Sequence, residues 1–163
     1  MKTLELTNSN KLLLLDDEDY ERVSQYGWYI IQTKNGRICG IAHWFTPSYT
    51  AMIASFIMNQ PNVKYDHIDR NPLNNQKSNL RGCSRSQNNM NSTKRSNTSS
   101  KYKGVAYYKA ALKTGSPLVW EAYLSRLGRR FYLGRYATEE EAARAYNAKA
   151  SVVFGEFANL NKV

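Results

Sequence analysis

The chain opens with a polar stretch and then a leucine run from Lys11 to Leu15, which predicts a short buried strand. Asp16-Asp17-Glu18-Asp19 comes next, followed by Tyr20 and Val23, and predicts a helix with acids at the positive end of its dipole. Consecutive carboxylates on a helix diverge by about 100° per residue, so capping is favoured over a metal cluster here. Trp28 to Thr33 and Arg37 to Phe45 flank Asn35-Gly36, a strong hairpin signal. His43 lies in the apolar, aromatic run Ile41 to Phe45 and reads as a packed strand residue. Tyr49 to Met58 is apolar with helical preference and leads to Pro61.

The pattern then turns polar. Ile68 to Lys77 is dense in turn formers, including Asn71-Pro72 and Asn74-Asn75, so the chain leaves a strand near Asp66-His67 and returns at Ser78 to Arg81. Arg85 to Asn91 reads as a short helix carrying Asn88. Asn91 to Ser100 has no apolar residue and predicts a linker, in which Lys94 and Arg95 either lie along phosphates or are simply solvated. From Lys101 three segments, KYKGVAYYKAAL, PLVWEAYLSRLG and RRFYLGRYA, read as strands. A helix follows, with a capping box in Thr138 and Glu141 and one face formed by Ala143, Tyr146, Ala150 and Val153. The predicted fold class is α+β.

Charge adds a partner to this outline. The 163 residues carry a net charge of +10, with ten basic against eight acidic residues in 1–91 and thirteen against five in 92–163. A basic second half without a cationic amphipathic helix or apolar span predicts a nucleic-acid surface and no membrane role. Cys39 and Cys83 are far apart, with no Cys-x-x-Cys pair to build a zinc knuckle. The polar first ten residues and the short Leu12–Leu15 run predict a cytoplasmic protein, without a signal peptide.

Hydrolysis of a phosphodiester needs a base to activate water and a cation to stabilise the leaving oxygen. Asp66 and His67 supply those residue types: a neutral imidazole can accept a proton near pH 7, and a carboxylate suits a hard divalent ion. Adjacent strand residues point to opposite faces, so the two can flank one phosphate only where the strand ends or twists.

With Asn79 and Asn88 at their spacing, the residues from Val63 to Asn91 resemble the HNH endonucleases of the ββα-metal fold, in the phage and intron-encoded (homing) branch. The shared pattern is Asp-His, an Asn-rich loop, Asn-Leu and a helical Asn. The resemblance implies that His67 is the general base, that Asn79 holds the His67 strand and ring, and that Asp66 and Asn88 ligate one Mg²⁺ or Mn²⁺ ion per active site. Asn88 stands where the usual pattern has His; a neutral amide oxygen suits Mg²⁺ or Mn²⁺ and is a poor choice for zinc. Related chains often place His-Arg where this one has Ala54-Ser55.

The block from Ser100 to Asn161 resembles the plant ethylene-response-factor (APETALA-type) DNA-binding domain, a three-stranded antiparallel sheet packed on one helix. The matching residues are Tyr102-Lys-Gly-Val, Trp120-x-Ala, Arg130-x-Tyr-Leu-Gly, a Glu-Glu-Ala-Ala-x-Ala-Tyr helix and a terminal Asn-Leu-Asn. It implies DNA contacts at Lys103, Trp120, Arg130 and Tyr132; apart from the resemblance, Arg126, Arg129 and Lys109 are basic side chains able to bind phosphate. Ala106, Tyr108, Tyr123 and Ser125 depart from the plant pattern, three of them replacing Arg. Each lost Arg removes about 1–3 kcal/mol of guanine readout, so the plant target site does not transfer. For Trp120, Phe131, Tyr132 and Tyr136, burial in the core competes with DNA contact.

Together these readings predict an HNH domain over residues 1–90 (motif 63–91), a linker over 91–99 and a DNA-binding domain over 100–163. The expected activity is site-directed cleavage of double-stranded DNA, leaving 5′-phosphate and 3′-OH ends and needing no small-molecule cofactor. One active site per chain favours nicking by a monomer; two-strand cleavage would need a dimer or two events. A non-catalytic DNA-binding regulator and a structure-specific nuclease remain as alternatives.

Overall fold

In the computed structural model the described residues are 1–34, 36, 38–46, 49–94 and 97–163, with side chains left aside at Cys39 and Tyr49. The chain folds as two compact units, Met1–Ser84 and Arg85–Val163, both mixing helix and sheet.

The polar opening stretch is itself a strand. β1 (Lys2–Leu6) pairs antiparallel with β2 (Ser9–Leu15), with Leu4 opposite Leu13 and Thr3 opposite Leu14. The signal was the alternation of Leu4 and Leu6 among polar residues, which sets these leucines toward the core. α1 (Asp17–Ser24) follows as expected, but Asp16 at its N-cap position makes no side-chain cap. Its carboxylate instead accepts from the Lys77 backbone N–H at 2.8 Å and from Gln76 Nε2 at 3.1 Å. Asp19 and Glu18 likewise pair with Lys77, so the acidic run holds the far end of the Asn-rich loop as well as opening a helix.

β3 (Tyr29–Gln32) and β4 (Ile38–Thr46) form the predicted antiparallel pair; Asn35 and Arg37 of the predicted turn lie outside the described residues. The apolar run expected to be helical from Tyr49 to Met58 divides. β5 (Tyr49–Met52) pairs with the edge of β4, and only α2 (Ile53–Ile57) is helical. Tyr and Thr at the head of the run favour extended backbone, and the open edge of β4 supplies the hydrogen bonds. Arg22 closes the C-terminal end of α2, donating to the carbonyls of Phe56 at 3.0 Å and Ile57 at 2.9 Å. Ala54 joins the core and Ser55 donates to the Val63 carbonyl, so the residues standing in place of His-Arg have structural roles. At the centre of the core Trp28 is fully buried and its indole N–H donates to the Val23 carbonyl. His43 sits on β4 among Tyr26, Trp28 and Phe45, with Nδ1 2.7 Å from the Gly27 carbonyl.

The first unit ends in a two-stranded ladder, β6 (Tyr65–His67) with β7 (Leu80–Gly82).

The second unit begins with α3 (Arg85–Asn91), the predicted short helix, and continues to β8 (Val105–Tyr107). α4 (Ala111–Thr114) is one helical turn that interrupts the expected first strand; Ala111, Leu112 and Lys113 are helix formers, and Gly115 closes the turn at φ +63°. β9 (Trp120–Arg126) is the central strand between β8 and β10 (Arg129–Tyr136). α5 (Glu139–Phe154) covers this sheet with Ala142, Ala143, Tyr146 and Ala150, and Thr138 and Glu141 make both halves of the capping box. Gly104 stands at φ +74°, and a Cβ there would lie 2.1 Å from the Tyr146 ring, so only glycine lets the ring come this close.

The terminal Asn-Leu-Asn locks the unit closed. Asn161 Oδ1 accepts from Lys103 N at 2.7 Å, and Asn147 and Asn161 exchange two further hydrogen bonds. The linker stretch is anchored at both ends: Asn91 and Ser100 are buried, and Asn159 Nδ2 donates to the Ser92 carbonyl. No helix among the described residues is long and apolar enough to cross a membrane.

Candidate active site and nucleic-acid interface

β6 ends at His67, and Arg70 N donates to the His67 carbonyl as the chain turns away with Arg70 at φ +65°. The loop that follows is an ordered structure sewn to β2. Leu14 N donates to the Leu73 carbonyl at 2.8 Å, and Asn75 N donates to the Leu14 carbonyl at 2.9 Å.

Each asparagine of the loop has its own task. Asn79 is buried, and its side-chain amide clasps the loop: Nδ2 donates to Asp69 Oδ1 at 2.9 Å and to the Asn74 carbonyl at 2.8 Å, while Oδ1 accepts from Asp69 N at 3.0 Å. Asn74 Nδ2 donates to the other oxygen of Asp69 at 2.8 Å. Asn75 is only 1% exposed; its Nδ2 donates to the Pro72 carbonyl at 2.8 Å, and its Oδ1 stands 3.1 Å from His67 Nε2. His67 and Asn79 are thus joined through one loop, and Asp69 and Asn75 are the members that residue pattern missed. Four asparagines in nine residues marked a turn, and only the folded loop separates their roles.

Burial works against the Asp69 charge, but the Asn71 N–H, the amides of Asn74 and Asn79, and the nearby His67 outweigh it and hold the carboxyl below its usual range. A depressed carboxyl pKa stabilises the fold above the unfolded value, about 3.9, and that contribution disappears as pH falls through the folded value. Asp69→Asn is therefore expected to lower the urea midpoint at pH 6 and to flatten its fall below about pH 4. A variant whose acid limb coincides with the wild type would exclude Asp69 from the acid transition.

Asp66 faces away from this network. Its cross-strand partner in the β6–β7 register is Arg81, which donates from Nε at 3.1 Å and from Nη2 at 2.8 Å to Asp66 Oδ2. Asp66 is buried, at 5% exposure for the whole residue, and the Arg81 side chain is 11% exposed. The adjacent Cys83 is a thiol whose pKa is pushed up by burial and by the Asp66 charge. Asn88 lies exposed on α3, in the second unit. No group of three or more His, Cys, Asp or Glu that could hold a metal occurs among the described residues. Of the two predicted ligands, the Asp66 carboxylate is paired with Arg81 in the first unit and Asn88 belongs to the second.

On the second unit, the outward side of the sheet is basic and aromatic. The Arg130 guanidinium stacks 3.5 Å from the centre of the Tyr123 ring, and Arg135 stacks at the same distance on Tyr108 while pairing with Glu121 at 3.2 Å. Tyr132 is 61% exposed and Phe131 is also exposed, whereas Trp120 and Tyr136 pack against the core. Arg126 and Arg129 are register partners on either side of the turn Leu127-Gly128. Lys103 turns inward, its ammonium donating to the carbonyls of Met90 at 2.5 Å and Ser92 at 2.6 Å. Lys109 is exposed beside α4, Lys94 donates to Thr98 Oγ1, and Arg95 lies outside the described residues.

These features define a small α+β protein in which an Asp-His strand, an asparagine-clasped loop and a return strand precede a basic sheet unit. No protein-family model and no solved structure matches the chain. Its sequence is 35% identical, over 147 residues covering 86% of this chain and 70% of the relative, to a protein of Acanthamoeba polyphaga mimivirus named as an uncharacterized HNH endonuclease. The chain belongs to the HNH endonuclease family.

Proposed function

We propose that the chain is a metal-dependent DNA endonuclease of the ββα-metal type that nicks one strand at a site held by its second unit. The observation that carries this reading is the His67 ring, fixed by buried Asn75 in a loop that Asn79 clasps. The Pro72 carbonyl can only accept, so the Asn75 amide must turn its N–H toward Pro72 and its oxygen toward His67. His67 Nε2 then donates to that oxygen, and Nδ1 is the proton-accepting nitrogen of the neutral ring. In the reaction Nδ1 takes a proton from water as the water oxygen bonds to phosphorus; the bond to the 3′ oxygen breaks, and that oxygen leaves with the bonding pair and takes a proton from solvent, giving 5′-phosphate and 3′-OH ends. Asp66 and Asn88 are the proposed ligands of a single Mg²⁺ or Mn²⁺ ion. When bound, that ion supplies positive charge for the leaving oxygen.

Arg126, Arg129, Arg130 and Tyr132 are the proposed duplex contacts. Two arginines directly opposed across a hairpin repel one another, a cost that a bound phosphate would reverse. Stacking on Tyr123 holds the Arg130 guanidinium in place before binding, which lowers the entropy lost on contact. Recognition of a site by one unit and nicking by the other suits the mobility of a genetic element, the homing role.

The test is nicking of supercoiled plasmid by the full chain in Mg²⁺ or Mn²⁺. Chelator is expected to abolish nicking, Asp66→Ala to remove it in either metal, and Asn88→Ala to recover better in raised Mn²⁺ because the anionic ligand survives. Nicking that persists in chelator would overturn the metal-dependent reading, and duplex binding with no nicking under any condition would make the chain a DNA-binding regulator.

A further inference from the structure

We infer that Asn75 is a positioning residue that sets the tautomer and the ring orientation of His67. This rests on the assignment of His67 as the base.

Four observations carry the inference. Asn75 is 1% exposed, so water does not compete for its amide. Its backbone N–H is fixed to the Leu14 carbonyl on β2, and its side-chain Nδ2 to the Pro72 carbonyl, so the residue is held at both ends. That second bond leaves only oxygen to face His67, at 3.1 Å from Nε2. A carbonyl-type oxygen accepts and cannot donate, so the neutral imidazole it faces must carry its proton on Nε2. The opposite tautomer would set two acceptor lone pairs against each other in a half-buried contact.

The chain's other histidine provides the reference. His43 places Nδ1 2.7 Å from the Gly27 carbonyl, another oxygen that can only accept. The same reasoning gives His43 its proton on Nδ1. The protein's two histidines are thus held in opposite tautomers, one packed in an aromatic cluster and the other at the loop where the chemistry is placed.

Full-length protein labelled with ¹⁵N in histidine, studied by long-range ¹H–¹⁵N correlation at about pH 8.5, where an ordinary imidazole of pKa about 6.5 is neutral, reads both tautomers directly. Wild-type protein is expected to show His67 protonated on Nε2 with an observable, slowly exchanging proton there, and His43 protonated on Nδ1. Asn75→Leu keeps side-chain volume and removes the acceptor. It is expected to lose the slow His67 proton and mix the two His67 tautomers, leave the His43 signals in place, and lower kcat for nicking by about tenfold or more with little change in KM. Asn75→Asp, which keeps an oxygen toward the ring, should restore the slow proton.

A His67 ring protonated on Nδ1 in the wild type overturns the inference, and that measurement needs no variant to fold. So does an Asn75→Leu protein whose His67 signals and kcat both match the wild type. Wild-type protein with the expected tautomers, a shift in Asn75→Leu and no nicking by either would leave the positioning role standing and remove the nuclease reading.

Discussion

His67→Ala is expected to lower the rate of metal-dependent nicking by about 10²-fold or more while duplex binding stays within about twofold. The size follows from what a positioned general base contributes. The selectivity follows from location: His67 sits at the end of β6 in the first unit, and Arg126, Arg129, Arg130 and Tyr132 all belong to the second. The side chain itself is only half-buried, so the unit should still fold without it. Single-turnover nicking of a plasmid beside a gel-shift assay on the same DNA separates the two effects. Residual nicking within threefold of wild type would remove His67 from the chemistry, and a parallel loss of binding would give it a structural role instead.

What could be read from residue order follows the reach of the rule applied. Thr138 and Glu141 are three positions apart, and the capping box they predict is present in both directions, because one helical turn contains all of its atoms. The three strands after Lys101 and the alanine face of α5 were legible for the same reason: alternation and three-to-four spacing are local signals. α4 was not, since one turn of helix is too short to leave a period. The split of Tyr49 to Met58 into β5 and α2 depends on the free edge of β4, which no pattern within the segment reports. Asp16 shows the limit most clearly. Its place before a helix predicts a cap, yet its carboxylate goes to Gln76 and Lys77, sixty residues further on, where the loop needs an acceptor more. At the candidate site the residue types were visible and their division of labour was not. Asn79 was expected to hold the His67 strand and ring; its carbonyl accepts from Ile68 N just after that strand and its side-chain amide binds Asp69 and Asn74 of the loop, while the amide against the ring belongs to Asn75.

Arg81→Leu is expected to destabilise the first unit by about 3–5 kcal/mol, the usual consequence of leaving a buried ion without its partner. Strand alternation puts Asp66 on a covered face of β6, and the register puts Arg81 directly opposite it, so the guanidinium balances a carboxylate that is only 5% exposed. For a unit of this size each kcal/mol moves Tm by about 4–8 °C, so the melting temperature should fall by about 12 °C or more. The double variant Asp66→Asn with Arg81→Leu removes the buried charge along with its partner and should regain much of the loss. The single variant Arg81→Leu, which keeps the Asp66 carboxylate, also tests the proposed metal ligand. If Asp66 binds a divalent ion, Mn²⁺ binds the folded chain and not the unfolded one, and with Arg81 gone the ion no longer shares the carboxylate. Added Mn²⁺ should then raise the Tm of Arg81→Leu by more than it raises that of the wild type. Equal metal responses in the two proteins would detach Asp66 from the metal and leave it as the buried half of an ion pair.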